Sequence, residues 1–421
     1  MMIQAPKGTR DVLPEESFIW QYLENKFHNI CKLYGYQEVR FPTFEATELF
    51  ERGVGDTTDI VQKEMYTFND KAGRSITLRP EGTASVARIF IEHGFNSRPM
   101  PQKLCYNISA FRYENPQGGR YREFHQFGIE NFGSKNPITD AEVISFAYNF
   151  FKNLGLSDIK ININSIGCPN CRKDYHNNLK TYFSNYKDKL CKTCLTRLEK
   201  NPLRILDCKE ESCKVITKDA PKPIDNLCDE CKTHHDSLCN YLSEINIPFS
   251  IDPWIVRGLD YYTKTVFEVI DVVEGRELAI CGGGRYDNLI NEIGGMDVPG
   301  IGFALGIERL ISLLKNKNLV PEKPTVPEVF VISMGERAKI YSLKVANLLR
   351  SNNISTTIEE LGRSIKAQMK YANKLGCSLV LIIGENEIDT GKFNIKNMKN
   401  SEEYQVDETN LLMKIKELIF K

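Results

Sequence analysis

FRYENPQGGRYREFHQFGIE, residues 111–130, reads as a strand, a turn and a returning strand. Asn115-Pro116 and Gly118-Gly119 break a ladder and permit positive φ, and aromatic-rich runs flank them on both sides. On the returning strand, period-two alternation puts Phe127 and Ile129 on one face and Gln126, Gly128 and Glu130 on the other. An amide, a missing side chain and a carboxylate in a row form the floor of a pocket for a small polar ligand, with Gly128 as the space the ligand occupies. Arg112, at the end of the incoming strand, carries a fork that suits phosphate or carboxylate. The same alternation also fits an exposed hairpin with a solvated polar face.

A chain of 421 residues, 41% hydrophobic and 26% charged, is expected to form two or three domains with ample core. Lys plus Arg equals Asp plus Glu at 55 each, so no global basic field advertises nucleic acid, and any such contact must come from local patches. No apolar stretch approaches the roughly 20 residues of a membrane span, and Met1-Met2-Ile3-Gln4 lacks the layout of a signal peptide. The expected location is therefore cytoplasmic, with no membrane partner.

Outward from the hairpin, Ile19, Tyr22, Leu23, Phe27 and Ile30 recur at helical spacing, and Gly35 ends that helix. Glu38–Pro42 reads as a strand and 52–56 as a glycine-spaced loop. A second hairpin is expected around Gly73, and a helix capped by Thr83 follows it. Another helix opens at 139–142, with Val143, Phe146, Ala147 and Phe150 as its stripe. After a strand at 159–164 the composition changes abruptly, and from about Gly167 to Tyr241 the chain is rich in Lys, Asn, Asp and Cys. This predicts an insertion, about residues 167–245, between two strands of one sheet. Strands are expected again at 249–252, 257–262, 266–270 and 277–280. The last runs into Gly282-Gly283-Gly284-Arg285-Tyr286, where the backbone can approach something bulky closely. A strand then turns into a helix near Ile307. Its stripe of Ile307, Leu310, Ile311 and Leu314 turns Arg309 away from the core, toward a ligand or toward water. Beyond a proline-marked linker, strands and helices alternate as βαβαβ. The expected architecture is an α+β catalytic domain on an antiparallel sheet, residues 1–325, with the cysteine-rich insertion, plus an α/β domain over 326–421.

Nine of the thirteen cysteines fall between Cys168 and Cys239. Cys168-x2-Cys171, Cys191-x2-Cys194, Cys208-x4-Cys213 and Cys228-x2-Cys231 make four pairs, which suit two tetrahedral four-cysteine zinc sites or one site with spare cysteines. Spacing does not fix which pairs meet, and Cys239, His234 or His235 is an alternative ligand. Reduced thiols in a loosely packed insertion are the alternative to structural zinc.

The chain resembles a histidyl-tRNA synthetase, a class II aminoacyl-tRNA synthetase, from Pro6 through the C-terminal domain. Phe41-Pro42 with the preceding helix and strand resembles the first class motif, 111–130 the second and 302–309 the third. Pro80-Glu81-Gly82-Thr83, Gly119–Gln126 and Arg257-Gly258-Leu259-Asp260-Tyr261-Tyr262 resemble strings characteristic of the histidine enzyme. The resemblance implies ATP-dependent ligation of L-histidine to tRNA(His) through histidyl-adenylate, in a homodimer, with Mg2+ accompanying ATP. It assigns Arg112 and Arg257 to the α-phosphate, and Arg309 and Glu114 to ATP. Glu81, Gly82, Thr83, Gln126, Glu130, Arg257, Tyr261, Tyr262 and Tyr286 fall to histidine, with Glu130 taking the ring N–H. Gln117 and Arg120 fall to the tRNA acceptor end, and 326–421 to the anticodon. Because the arginines lie outside the insertion, loss of metal is expected to impair tRNA handling more than adenylate formation. Two rivals remain: a synthetase-like regulatory subunit of histidine biosynthesis, and a zinc-dependent nucleic-acid-binding protein.

Overall fold

Strands Gln102–Phe111 and Glu123–Phe132 form the hairpin read from the sequence, paired antiparallel with Phe111 opposite Glu123. The computed structural model describes residues 3–55, 58–116, 119–208, 210–273, 276–325 and 327–420. The hairpin sits inside an eight-stranded sheet whose order from edge to edge is 37–38, 102–111, 123–132, 300–306, 276–285, 263–273, 160–165 and 249–251. Only the outermost pair on each side is parallel. The 300–306 strand slots between strands far earlier and slightly earlier in the chain, with Gly302 opposite both Glu130 and Gly284.

One face of this sheet is covered by helices Pro14–Leu33, Pro137–Asn153 and Ile307–Asn316. The first begins with proline and two glutamates in its opening turn and ends at Tyr34 and Gly35, the latter at φ +75°. It buries Ile19, Leu23, Phe27 and Ile30, and the Phe27 ring stacks on Phe127 at 4.4 Å. Phe127 and Ile129 thus face the core, while Gln126 faces a cleft on the other side.

Several local expectations are corrected. Residues 52–54 are not loop but the end of helix Thr47–Val54, since the glycines there sit beside a strongly amphipathic turn. The hairpin around Gly73 belongs to a separate three-stranded sheet of 44–46, 66–69 and 75–78. Residues 257–262 are not a strand: the segment between Phe249–Ile251 and Thr263–Val273 carries neither helix nor strand. The three glycines lie in the interior of strand Arg276–Arg285.

The insertion leaves after strand Lys160–Ser165 and returns at Phe249–Ile251, its parallel neighbour, with Ile161 opposite Phe249. Between them lie helices Pro169–Ser184, Lys192–Lys200, Glu211–Thr217 and Asp229–Glu244.

The chain divides into two units, 1–321 and 322–421. The second has a sheet ordered 356–358, 329–333, 379–383, 392–397 and 403–407, the first three strands parallel and the rest antiparallel. Its central strand, Val329–Ser333, is buried throughout, as a parallel strand covered on both faces must be. Among the described residues no helix is long and apolar enough to cross a membrane.

Candidate active site and cysteine centres

A cleft of about 360 Å³ opens over the middle of the large sheet. Its floor is made of the small residues Gly282, Gly302 and Ala304. Gly128 belongs to the same face but is not open space: a Cβ there would lie 2.2 Å from Cζ of Tyr106, whose ring covers it. The hollow expected to receive a ligand is therefore filled from the neighbouring strand.

One end of the cleft is built to meet a small zwitterion. Glu81 is buried, and its Oε2 and Oε1 accept from the backbone N–H of Thr83 and Ala84 at 2.7 and 2.8 Å. Glu81, not Thr83, thus caps helix Thr83–Glu92, and Thr83 is left to donate its hydroxyl to Glu130 Oε1 at 2.7 Å. Glu130 also accepts from Tyr106 at 3.1 Å and from Tyr286. Fully buried, it stands behind Thr83 and Tyr286, which line the cleft where Glu130 does not. Burial pushes its carboxyl up to about 8, with Glu81 adding to the rise, while the Tyr286 and Thr83 hydroxyls oppose it. Between its ordinary value and about 8 the folded chain holds a proton that the unfolded chain releases. Its contribution to stability therefore declines as pH rises through that window. Gln126 lines the cleft with a buried Oε1 that has no hydrogen-bond partner among the described residues. Tyr261, Tyr262 and Tyr286 close this end as a cluster, with ring centroids 4.6 and 5.4 Å apart along the chain of contacts.

Four arginines, Arg112, Arg120, Arg257 and Arg309, line the same cleft. Arg112 Nε donates to the Pro80 carbonyl at 2.8 Å, and its guanidinium lies 5.3 Å from the Phe124 ring. Arg309 Nη1 donates to the Ala279 carbonyl at 2.7 Å. Arg257 is paired with Glu268 and lies flat over Gly282, where a Cβ would come within 2.1 Å of Nη2. The bulky group the glycine run admits is thus an arginine of the protein itself. Glu114 accepts from Arg120 at 3.4 Å. Sequence reasoning missed Glu308, which lines the cleft and accepts from His125 Nδ1 at 2.8 Å and from its backbone N–H at 3.0 Å. Beside Arg309 it reads only as one more surface charge. Of the two residues expected at the tRNA end, Arg120 lies on the cleft and Gln117 falls outside the described residues.

The eight paired cysteines gather into two groups, Cys168, Cys171, Cys228 and Cys231, and Cys191, Cys194, Cys208 and Cys213. Within each, four Sγ atoms lie within 4.8 Å of one another. Sulfur separations are 3.7, 3.9 and 3.8 Å in the first group and 3.8 Å between Cys191 and Cys208 in the second. Four thiolates at about 2.3 Å from a tetrahedral zinc would be about 3.8 Å apart. The alternative ligands are otherwise engaged: His234 Nε2 bonds to Asp140 at 2.7 Å, and His235 lies against Cys239.

A histidyl-tRNA synthetase family model matches residues 8–170 and 197–310, its break falling within the insertion, and an anticodon binding domain model matches 328–418. The chain is 68% identical over 419 residues to the histidine–tRNA ligase of Caldicellulosiruptor saccharolyticus, covering 100% of both chains. It is 52% identical to that of Acetivibrio thermocellus, over 99% of this chain and 100% of the relative. The crystal structure of apo S. aureus histidyl-tRNA synthetase superposes with a TM-score of 0.85 at 39% identity, covering 99% and 100% of the two chains. A Bacillus halodurans structure described as an ATP phosphoribosyltransferase regulatory subunit/histidyl-tRNA synthetase shares the fold at 21% identity and a TM-score of 0.65. The chain belongs to the histidyl-tRNA synthetase family.

Proposed function

We infer that the chain ligates L-histidine to tRNA(His) at the expense of ATP, in two steps that share the cleft. The observation that carries this reading is one cleft lined both by a tyrosine and carboxylate cluster and by four arginines. The histidine carboxylate attacks the α-phosphate of ATP, giving histidyl-adenylate and diphosphate, and the aminoacyl group then passes to the terminal ribose of the tRNA. Neither step requires a covalent enzyme intermediate, so the residues act by positioning and by charge compensation. Arg112 and Arg257 meet the α-phosphate as its charge builds, and Arg309 and Glu114 hold the nucleotide. Glu81, Thr83 and Gln126 take the ammonium, with the unpartnered Gln126 oxygen as a ready acceptor. Tyr261, Tyr262 and Tyr286 enclose the ring, and Glu130 orients the hydroxyls that face it. Glu114 and Glu308 are the cleft carboxylates that would hold a magnesium ion brought with ATP, which would offset phosphate charge. Arg120 and the hairpin turn reach the acceptor end, the C-terminal unit reads the anticodon, and the enzyme works as a cytoplasmic homodimer.

Histidine-dependent exchange of labelled diphosphate into ATP tests the first step. No exchange with any amino acid would favour the regulatory or nucleic-acid-binding rivals. Glu130→Gln keeps the shape but not the capacity for charge. It is expected to raise the KM for histidine roughly 10- to 100-fold and leave that for ATP nearly unchanged. Equal weakening of both substrates would remove Glu130 from the histidine pocket.

The sulfur geometry fits one zinc in each cysteine group, serving structure and not catalysis. Metal analysis of the purified protein is expected to give two zinc per chain. A value well below one, with the thiols freely titratable, would refute the assignment.

A further inference from the structure

The loop that presents Arg257, Tyr261 and Tyr262 has no strand or helix of its own to hold it. Asn164 donates to the loop's Pro253 and Ile255 carbonyls and Val54 accepts from its Asp260 N–H, and further side-chain and main-chain contacts tie it to the insertion at residues close to the cysteine centres. Arg172, the residue after Cys171, donates Nη2 to the Tyr262 carbonyl. Gly167, the residue before Cys168, accepts from the Lys264 N–H at 2.9 Å, where the loop enters its strand. Lys264 also pairs with Glu230, the neighbour of Cys231, at 2.7 Å. From the second centre, Arg204 donates Nη1 to the Arg257 carbonyl at 3.2 Å, and Asn201 donates to the Asp260 carboxylate at 3.1 Å. Both residues lie in the 13-residue span between Cys194 and Cys208 that this centre closes.

We propose that the two cysteine centres brace the active-site loop, with Arg172 and Arg204 as positioning residues that fix the Tyr262 and Arg257 carbonyls and so set the affinity for histidine. The proposal rests on the synthetase reading and reverses one expectation drawn from the sequence. The catalytic arginines do lie outside the insertion, yet one of them hangs from it, so disturbing a cysteine centre reaches adenylate formation directly. The two ends of the loop depend on different centres. The Tyr262 end answers to Cys168, Cys171, Cys228 and Cys231, and the Arg257 end to Cys191, Cys194, Cys208 and Cys213.

Full-length Arg172→Ala and Arg172→Lys proteins are to be compared with wild type by zinc content, by amide hydrogen exchange over 253–264, and by the KM for histidine and for ATP in diphosphate exchange. Arg172→Ala is expected to keep the wild-type zinc content. It should speed exchange at 261–264 and raise the histidine KM, each about tenfold, with ATP changed less than about twofold. Arg172→Lys, which keeps one donor, should recover part of both effects. Unchanged amide exchange, equal weakening of both substrates, or zinc loss from Arg172→Ala would each overturn the proposal. If Arg172→Ala fails to fold, Arg204→Lys tests the same idea from the second centre, with faster exchange expected at 256–258. Wild-type protein without histidine-dependent exchange would refute the synthetase reading, and the amide-exchange comparison would still decide the bracing.

Discussion

Arg257→Ala is expected to slow adenylate formation by about 10²- to 10³-fold, the range found when one preorganised donor to a developing charge is removed. Three features make this site sensitive. The guanidinium is held in place before substrate arrives, by Glu268 on one side and the bare backbone of Gly282 beneath. It lies largely shielded from solvent, so its charge is screened less and acts more strongly than at the surface. Its role grows as the phosphorus becomes pentavalent, so the loss should appear in the single-turnover rate of adenylate formation more than in the KM for either substrate. Rapid-quench measurement of enzyme-bound histidyl-adenylate checks this. A variant that keeps its single-turnover rate but loses ATP affinity would assign Arg257 to ground-state binding alone. Lysine is a poor substitute, because a point charge cannot lie flat over Gly282 as the planar fork does.

Asp140→Ala is expected to destabilise the larger unit by about 3 kcal/mol, because it removes the fully buried partner of the Arg285 cation and leaves it, among the described residues, only the carboxylate of Asp287 at 3.1 Å. Asp140 and Arg285 are both fully buried, and the aspartate accepts from Arg285, from His234 at 2.7 Å and from Thr265 at 2.6 Å. Burial alone would raise the Asp140 carboxyl, yet Arg285 and His234 hold it below the usual range. Its contribution is therefore present at neutral pH and lost as pH falls through the lowered folded-state value. Urea midpoints measured from pH 7 down to about pH 2, across the interval below the ordinary aspartate value of about 3.9, should show wild type losing ground to the variant as acidity rises. Asp297→Ala, which breaks the exposed pair with Lys135, should change stability by less than about 0.5 kcal/mol and serves as the comparison. A loss at Asp140 no larger than that would show that Arg285 finds another partner.

What could be read in advance was what local pattern controls. The turn dipeptides and the alternation through Phe127 and Ile129 placed the hairpin and its core face, because both depend on residues within a few positions. Cysteine spacing revealed pairs, but not that Cys168 and Cys171 meet partners 60 residues away, since that depends on how helices 169–184 and 229–244 bring their first turns together. Gly128 announced a missing side chain without saying what fills it, and Tyr106 answers from the adjacent strand. The 257–262 segment mimicked a strand because its apolar residues alternate, but it has no partner strand and is held by side chains of a distant insertion. Glu130 was placed on the correct face of its strand. Its depth behind Thr83 and Tyr286 depends on three other segments and leaves no trace in the alternation.

The placement of strand Gly300–Gly306 between 123–132 and 276–285 also bears on how the chain comes to be made. The 123–132 strand leaves the ribosome about 170 residues before the strand that covers its open edge. At about 5–20 residues per second, the nascent hairpin waits roughly 10–35 s with one row of backbone donors and acceptors unpaired. Such an edge is a template for pairing with other chains, and in the folded protein Gln126 faces the cleft, Gly128 lies under Tyr106 and Glu130 is fully buried, which leaves these positions no room for a solvated blocking charge. The demands of a central, cleft-lining strand thus fall on biosynthesis, in the interval before strand Gly300–Gly306 covers this edge.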